Sequence, residues 1–445
     1  MRVMLTVWPH MAHLYPVVPY AQALQNAGHE VCVACPPGTA EHITAAGLTA
    51  VVCGDPAPKS LESWSRPDLV TDMEEMERLA KVLEIDPAER DHWDVYYQFL
   101  LIGVRFHLPP EPSEDNVSLI EFARSWQPDL VLWDPWFPAG AVAARACGAA
   151  HARMLMAPDY SGWAFERFVE HNGRAGVTPE DNPVAAAMRP LAERYGIEVD
   201  DEMLVGQWTI DPMPREMRLS ADISSMPVRW IPYNGGAEKP EWLYARPEKP
   251  RVALSLGVST RAYNKGEWRT PKILEAVADL DIELVATLNA DQLEGLPPIP
   301  GNVRTVDYVP LVQLLPTCSA SINHGSSGTF WASLVNKLPQ LVTDTDEPQR
   351  RIVTGQGADT EFSIPQRHIL SPIAAEYVTK HGAGMRLNHQ TQSAEEIRAQ
   401  IVRVLEEPSF KAGATALYDE WQAKPEPAGI VQDLEKRTAQ HRRRG

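Results

Sequence analysis

The sequence predicts an α/β protein with two Rossmann-like units, each a parallel sheet flanked by helices. Three observations predict it: short apolar runs alternate with helical stretches near the N-terminus, the same order returns after residue 250, and a proline- and glycine-rich stretch separates the two. The 445 residues are enough for two or three compact units with full cores.

The first run, Val3 to Val7, ends at Trp8-Pro9. Pro16 to Ala27 then reads as a helix closed by Gly28, and Val31 to Ala34 is a second run ending at Pro36-Pro37. Strand, loop, helix, glycine and strand in that order make a βαβ unit, and strands covered on both faces are apolar throughout, as these are. Leu130 to Trp133 is a further strand ending in Asp134-Pro135-Trp136. In the second half, Val252 to Leu256 leads into Gly257-Val258-Ser259, Pro271 to Leu280 is helical, and Ile282 to Thr287 is the next strand. The stretch 226–250 carries Pro227, Pro232, Gly235, Gly236, Pro240, Pro247 and Pro250, the composition of a linker. The expected domains are therefore 1–225 and 251–407 around that linker, with a helical tail over 408–445 whose Arg442, Arg443 and Arg444 read as a solvated basic end. Two segments break the rhythm. Residues 55–125, with mixed charge and Trp64, Trp93, Tyr96 and Tyr97, read as an irregular helical insertion. A second insertion, about 349–375, follows the strand Gln340 to Thr343.

With 41 basic against 59 acidic side chains, the net charge of −18 argues against bulk nucleic-acid or anionic-membrane binding. Any phosphate must be held locally. The five cysteines, Cys32, Cys35, Cys53, Cys147 and Cys318, are odd in number and scattered, which suits a reducing compartment. No apolar stretch approaches the ~18 residues of a spanning helix and no signal region stands at the N-terminus, so a soluble, cytoplasmic protein is expected.

Chemistry concentrates at strand ends. Ser321 to Thr329 is an apolar strand opening into a glycine- and serine-rich turn ahead of a helix, Phe330 to Asn336. Such a turn lets backbone N–H groups and the helix dipole meet a phosphate, and His324 at its entrance can donate to the same anion. Small residues also end strands for steric reasons alone. The turn has neither the Gly-Lys-Ser/Thr of a Walker loop nor a GxGxxG, which counts against NTP hydrolysis and nicotinamide chemistry. His13 follows the first strand and Asp134 ends another, and ligands of α/β sheets sit outside such ends. A carboxylate bonded to one imidazole nitrogen makes the other a general base; on spacing alone, the simpler reading is that the two never meet. Asp344-Thr345-Asp346 has the form of a metal-binding DxD, but a metal would duplicate the glycine-turn phosphate site, so none is expected. Trp8, Trp136, Phe137, Met156, Tyr160 and Trp163 lie near the same strand ends, as core or as the lining of an apolar pocket.

The chain resembles the GT-B glycosyltransferases of bacterial antibiotic biosynthesis, and most the branch that attaches deoxyaminosugars to macrolide aglycones with a cytochrome P450-like auxiliary protein. The stretches that carry the resemblance cover nearly the whole chain except the insertions. They are 124–131 (RSWQPDLV), 205–212 (VGQWTIDP), 240–243 (PEWL), 292–295 (QLEG), 302–306 (NVRTV), Val309-Pro310 and 314–318 (LLPTC). The resemblance implies two Rossmann-like domains facing across a cleft with a C-terminal crossover helix. It implies His13 as base and Asp134 as its orienting partner. The dTDP diphosphate would lie on His324, Ser326, Ser327, Gly328 and Thr329 with help from Ser259, and thymine beside Val309. The usual His-His-Gly-Gly is Asn323-His324-Gly325-Ser326 here. The acidic-plus-amide pair that grips sugar hydroxyls falls in disturbed sequence, with Asp346, Glu347 and Gln349 the nearest candidates. A strongly deoxygenated donor such as dTDP-forosamine is therefore expected, unless Glu361 or Ser363 of the insertion supply hydroxyl contacts. The implied reaction is an inverting, metal-independent transfer from a dTDP-deoxysugar to a hydrophobic polyketide aglycone. The 55–125 segment is the candidate dock for the auxiliary protein, unless its aromatics cover the domain's own core. A homodimer stays open. So do two rivals, a sugar-nucleotide epimerase on the same architecture and a non-catalytic sugar-nucleotide-binding partner of a transferase.

Overall fold

The computed structural model describes residues 1–54, 69, 71–173, 181–219, 222–257, 269–348, 352–354, 361–363 and 367–442. The chain divides into two compact units. The first comprises Met1–Arg229, Val353–Glu361 and Pro425–Gly445, the second Trp230–Ile352 and Phe362–Lys424.

The first unit is built on seven strands: β1 (Arg2–Thr6), β2 (Glu30–Cys35), β3 (Thr49–Val52), β4 (Leu130–Trp133), β5 (Ala150–Met154), β6 (Trp208–Asp211) and β7 (Ser225–Pro227). They pair in parallel in the order β3-β2-β1-β4-β5-β6-β7. Val3, Met4 and Leu5 of β1 and all of β4 are buried, as strands covered on both faces must be. The strand order reverses direction between β1 and β4, where Thr6 pairs with Trp133, and this opens a crevice beyond their carboxyl ends. The helix after β1, Met11–Asn26, starts five residues before the expected Pro16. His10 supplies its N-cap, accepting the Ala12 N–H on Nδ1 at 3.2 Å, and Pro16 and Pro19 lie inside it.

Residues 73–126 form helices Met73–Val82, Arg90–Val95, Leu101–His107 and Glu114–Trp126, with a π-helical turn at Tyr96–Leu100. Trp93, Tyr96 and Tyr97 are wholly buried, so of the two uses open to these aromatics they serve the unit's own core. Trp64 lies outside the described residues.

The second unit carries β8 (Arg251–Ser255), β9 (Glu283–Thr287), β10 (Val303–Val306), β11 (Ala320–Asn323), β12 (Gln340–Thr343) and, beyond the short pair β13 (Ile352–Thr354) and β14 (Glu361–Ser363), β15 (Gly384–Leu387). Six of these form a parallel sheet, β10-β9-β8-β11-β12-β15, whose order reverses between β8 and β11. Asn323 pairs with Ser255 there, so Gly257 and His324 leave neighbouring strand ends. The proline-rich stretch after Arg229 is laid against this unit: the Tyr308 hydroxyl donates to the Asn234 carbonyl at 2.6 Å and Gln313 to the Ala237 carbonyl at 2.9 Å. Helix Pro408–Ala423 packs on helix Ser327–Val335 of the second unit. The last helix, Val431–His441, lies against β5 of the first and buries Val431 and Leu434. Among the described residues no helix is long and apolar enough to cross a membrane.

Candidate active site

In the first unit the structure joins two residues that the sequence could only place at separate strand ends. His13 Nδ1 lies 2.6 Å from Asp134 Oδ2, and the aspartate is fully buried. Oδ2 also accepts the Trp8 N–H at 3.2 Å, while Oδ1 accepts the Trp136 N–H at 2.9 Å. Three donors converge on this one buried carboxylate and fix it in place. With Oδ2 as acceptor, Nδ1 of His13 is the donor in this contact and Nε2 presents its lone pair.

Two half-buried indoles frame the dyad. Trp8 stands edge-on to the His13 ring at 4.8 Å and tilts against Trp136 at 5.1 Å, and Trp136 meets His13 at 5.4 Å. Trp136 is seated on Gly103, where a Cβ would come within 2.9 Å of its ring. Burial and the neighbouring His13 push His10 down to about 4, so it is neutral near pH 7. Of the other aromatics expected here, Phe137 is buried and meets His107 at 5.4 Å, and His107 in turn meets Trp8 at 6.1 Å. Met156, Tyr160 and Trp163 are buried, with Trp163 against His92 and its Nε1 on Glu89 at 3.2 Å. His10, His107 and Gly103 belong to the setting of the dyad yet carry no motif, and with the helix expected from Pro16 no capping signal marks His10.

In the second unit the helix after β11 is Ser327–Val335, three residues earlier than expected, so the turn's small residues form its first turn. Ser326 sits at the N-cap with extended backbone, but its side chain caps nothing and instead contacts the Thr329 hydroxyl at 3.2 Å. The first N–H groups thus have no side-chain cap, and open space stands where a Gly328 Cβ would be. Asn323 shapes the turn, accepting the Gly325 N–H at 2.9 Å and donating to Gln340 Oε1 at 3.0 Å. His324 is 2% exposed and its Nδ1 has no hydrogen-bond partner. Burial, then the nearby His368 and Arg269, hold its pKa well below the usual range. Gly257, at φ +86°, backs onto this ring so closely that a Cβ would lie 2.4 Å from it.

Val309 is buried among Leu243, Leu311 and Leu314. Ser259 and Gln349 lie outside the described residues. Asp346 is bound by Arg386 at 2.6 Å and Asn388 at 3.0 Å, the former holding its carboxyl below the ordinary carboxylate range, and Glu347 receives Gln390 Nε2 at 2.7 Å. Asp344 is buried, with Arg367 at 2.8 Å on one oxygen and Arg386 at 2.7 Å on the other. The DxD carboxylates are thus engaged by guanidinium groups.

A histidine bonded to a buried carboxylate at one switch point and a helix start without a side-chain cap at the other suit transfer from a nucleotide sugar to a hydroxyl. The chain is a glycosyltransferase of the GT-B architecture: the solved spinosyn forosaminyltransferase SpnP matches it with a TM-score of 0.75 and 35% identity over 99% of each chain. It belongs to the erythromycin biosynthesis protein CIII-like family, with residues 22–257 matching that family's N-terminal domain and 271–437 its C-terminal domain. Among its relatives are the 10-deoxymethynolide desosaminyltransferase of Streptomyces venezuelae, 38% identical over 100% of this chain and 98% of that protein, and the aclacinomycin-T 2-deoxy-L-fucose transferase of Streptomyces galilaeus, 40% identical over 100% and 97%.

Proposed function

We propose that this enzyme transfers a strongly deoxygenated, amino-bearing hexose, with forosamine the first candidate, from dTDP to a hydroxyl of a hydrophobic polyketide aglycone. The observation that carries the reading is the 2.6 Å contact between His13 and the buried Asp134. Nε2 of His13 takes the acceptor proton as the hydroxyl attacks the anomeric carbon from the face opposite dTDP, inverting it. Asp134 stabilises the imidazolium that forms. The departing diphosphate is met by the open start of helix Ser327–Val335 and by His324, in place of a metal. The first unit then receives the acceptor beside Trp8 and Trp136, and the second holds the dTDP-sugar.

Relatives named for transfer of desosamine, 2-deoxy-L-fucose and forosamine support a deoxygenated donor. So does the engagement of Asp346 and Glu347 by Arg386 and Gln390, because carboxylates already committed to protein donors have less capacity for sugar hydroxyls. The reaction is placed in the cytoplasm and includes a P450-like auxiliary protein. Incubation of the enzyme with a panel of dTDP-sugars, an aglycone, EDTA and the candidate auxiliary, read by mass spectrometry, tests this. Expected is glycoside formation that survives EDTA, depends on the auxiliary protein and favours 2,3-dideoxygenated donors. Faster transfer from dTDP-glucose overturns the donor assignment, and full activity of the enzyme alone removes the auxiliary.

A further inference from the structure

Gly103 stands well inside an unbroken helical stretch, 90–107, that runs through the π-helical turn at Tyr96–Leu100 into helix Leu101–His107. Glycine is the poorest helix former after proline, so a glycine there needs a local reason. The reason is Trp136. A Cβ on Gly103 would lie 2.9 Å from Cε3 of that indole, 3.4 Å from Cζ3 and 3.9 Å from Cδ2, so only a residue without a side chain lets the ring rest on the helix.

Neither side of this contact yields easily. Leu101, Ile102 and Val104 are buried around the glycine, and the His107 carbonyl accepts the Asn116 side-chain amide at 2.6 Å, which pins the end of the helix. One turn on from Gly103 and on the same face, the His107 ring stands edge-on to Trp8 at 6.1 Å. Trp136 is held from its own side: its N–H donates to Asp134 Oδ1 at 2.9 Å, and its ring meets Trp8 at 5.1 Å and His13 at 5.4 Å. Unlike the wholly buried Trp93 and Trp163, Trp136 is half-buried and keeps part of its surface exposed. Displacing it therefore alters the surroundings of His13 and not only the packing of a core. The helices of residues 73–126 thus do more than cover their own unit, since one of them brings a gap and a ring, four residues apart, to the two indoles beside the dyad.

We propose that Gly103 is a positioning residue for acceptor recognition: the gap it leaves in helix Leu101–His107 sets where the Trp136 ring stands beside His13, and so the room available there to a polyketide aglycone. The inference rests on the proposed acceptor site and adds the residue that fixes its indole wall.

The test measures, on the full chain, the binding of two polyketide aglycones after which relatives are named, 10-deoxymethynolide and aklavinone, with dTDP binding as the control. The variants are Gly103→Ala, Trp136→Phe, whose smaller ring lacks the Cε3–Cζ3 edge seated on the glycine, and the two combined. Expected for Gly103→Ala is a loss of about 10-fold or more in affinity for whichever aglycone the wild type binds, with dTDP affinity kept. In the Trp136→Phe background the same substitution should cost no more than about twofold. Equal losses in the two backgrounds, an unchanged aglycone affinity in Gly103→Ala, or a parallel loss of dTDP affinity would overturn the inference, the last by showing a general loss of folded protein. Should Gly103→Ala alone fail to fold, the double variant must fold and bind aglycone as Trp136→Phe does; if it does not, the inference fails. A wild-type chain that binds dTDP but neither aglycone defeats the acceptor assignment of the proposed function and the inference with it, whereas wild-type binding that Gly103→Ala leaves untouched defeats the inference alone.

Discussion

In the proposed mechanism the base depends on Asp134, whose carboxylate fixes three groups at once: the His13 ring and the N–H groups of Trp8 and Trp136. Asp134→Asn presents an NH2 where only acceptors fit, so one of those donors loses its partner or His13 adopts the other tautomer. A fall in turnover of about 10²-fold or more is expected, with a loss of about 1–3 kcal/mol in stability. His13→Ala is expected to cost a similar factor in turnover while leaving dTDP affinity close to wild type, since His13 and the proposed nucleotide contacts belong to separate units. Single-turnover kinetics with calorimetry check both. Turnover that survives His13→Ala would leave the proposed mechanism without its base.

Among the elements, the turn between β11 and helix Ser327–Val335 is the most constrained. Gly325 has φ +75°, and a Cβ there meets Ser371 Cα at 2.9 Å, Val342 Cγ1 at 3.0 Å and Ala374 Cβ at 3.2 Å. Gly325→Ala therefore combines left-handed strain with overpacking against a helix that cannot retreat. A loss of about 2–4 kcal/mol is expected, with weakened dTDP binding because the helix start is displaced; thermal denaturation and titration measure the two. How much of these elements was legible follows from burial. β1, β4, β11 and β12 could be read because both faces are covered and, apart from Arg2, Gln340 and Asn323 at strand ends, every position is apolar or small. β10 (VRTV) and β15 (GMRL) lie at the edges of their sheet, are partly exposed and mix charges into the run, so periodicity does not reveal them. His13, Asp134 and His324 were legible as residue types at strand ends. Their partners were not: the contact of His13 with Asp134 depends on the β1–β4 register, and His368, edge-on to His324, lies within the second insertion with no motif around it.

Across the whole molecule, titration links the two units to pH in the same sense. Folding lowers His10 in the first unit to about 4 and His368 in the second to about 3, against 6.5 for an exposed histidine. Between about pH 6.5 and 4 the unfolded chain binds protons that the folded chain refuses, so this stability is present above pH 6.5 and is lost as the pH falls. Denaturant midpoints should fall from pH 7.5 to pH 5. His10→Asn, which keeps an acceptor for the Ala12 N–H and removes the titration, should flatten that dependence; equal slopes in the two proteins would refute it. The route of the chain has a different consequence. It leaves the first unit at Arg229, builds the second, and returns at Pro425, where the Arg229 N–H donates to the Pro425 carbonyl at 2.8 Å and Ile430, Val431 and Leu434 are buried. The C-terminal residues are thus, structurally, part of the N-terminal half. A hybrid enzyme that exchanges halves between relatives at a single splice near residue 229 would set a foreign tail on β5, whereas a double splice, at 229 and again at 425, moves each unit with its own core.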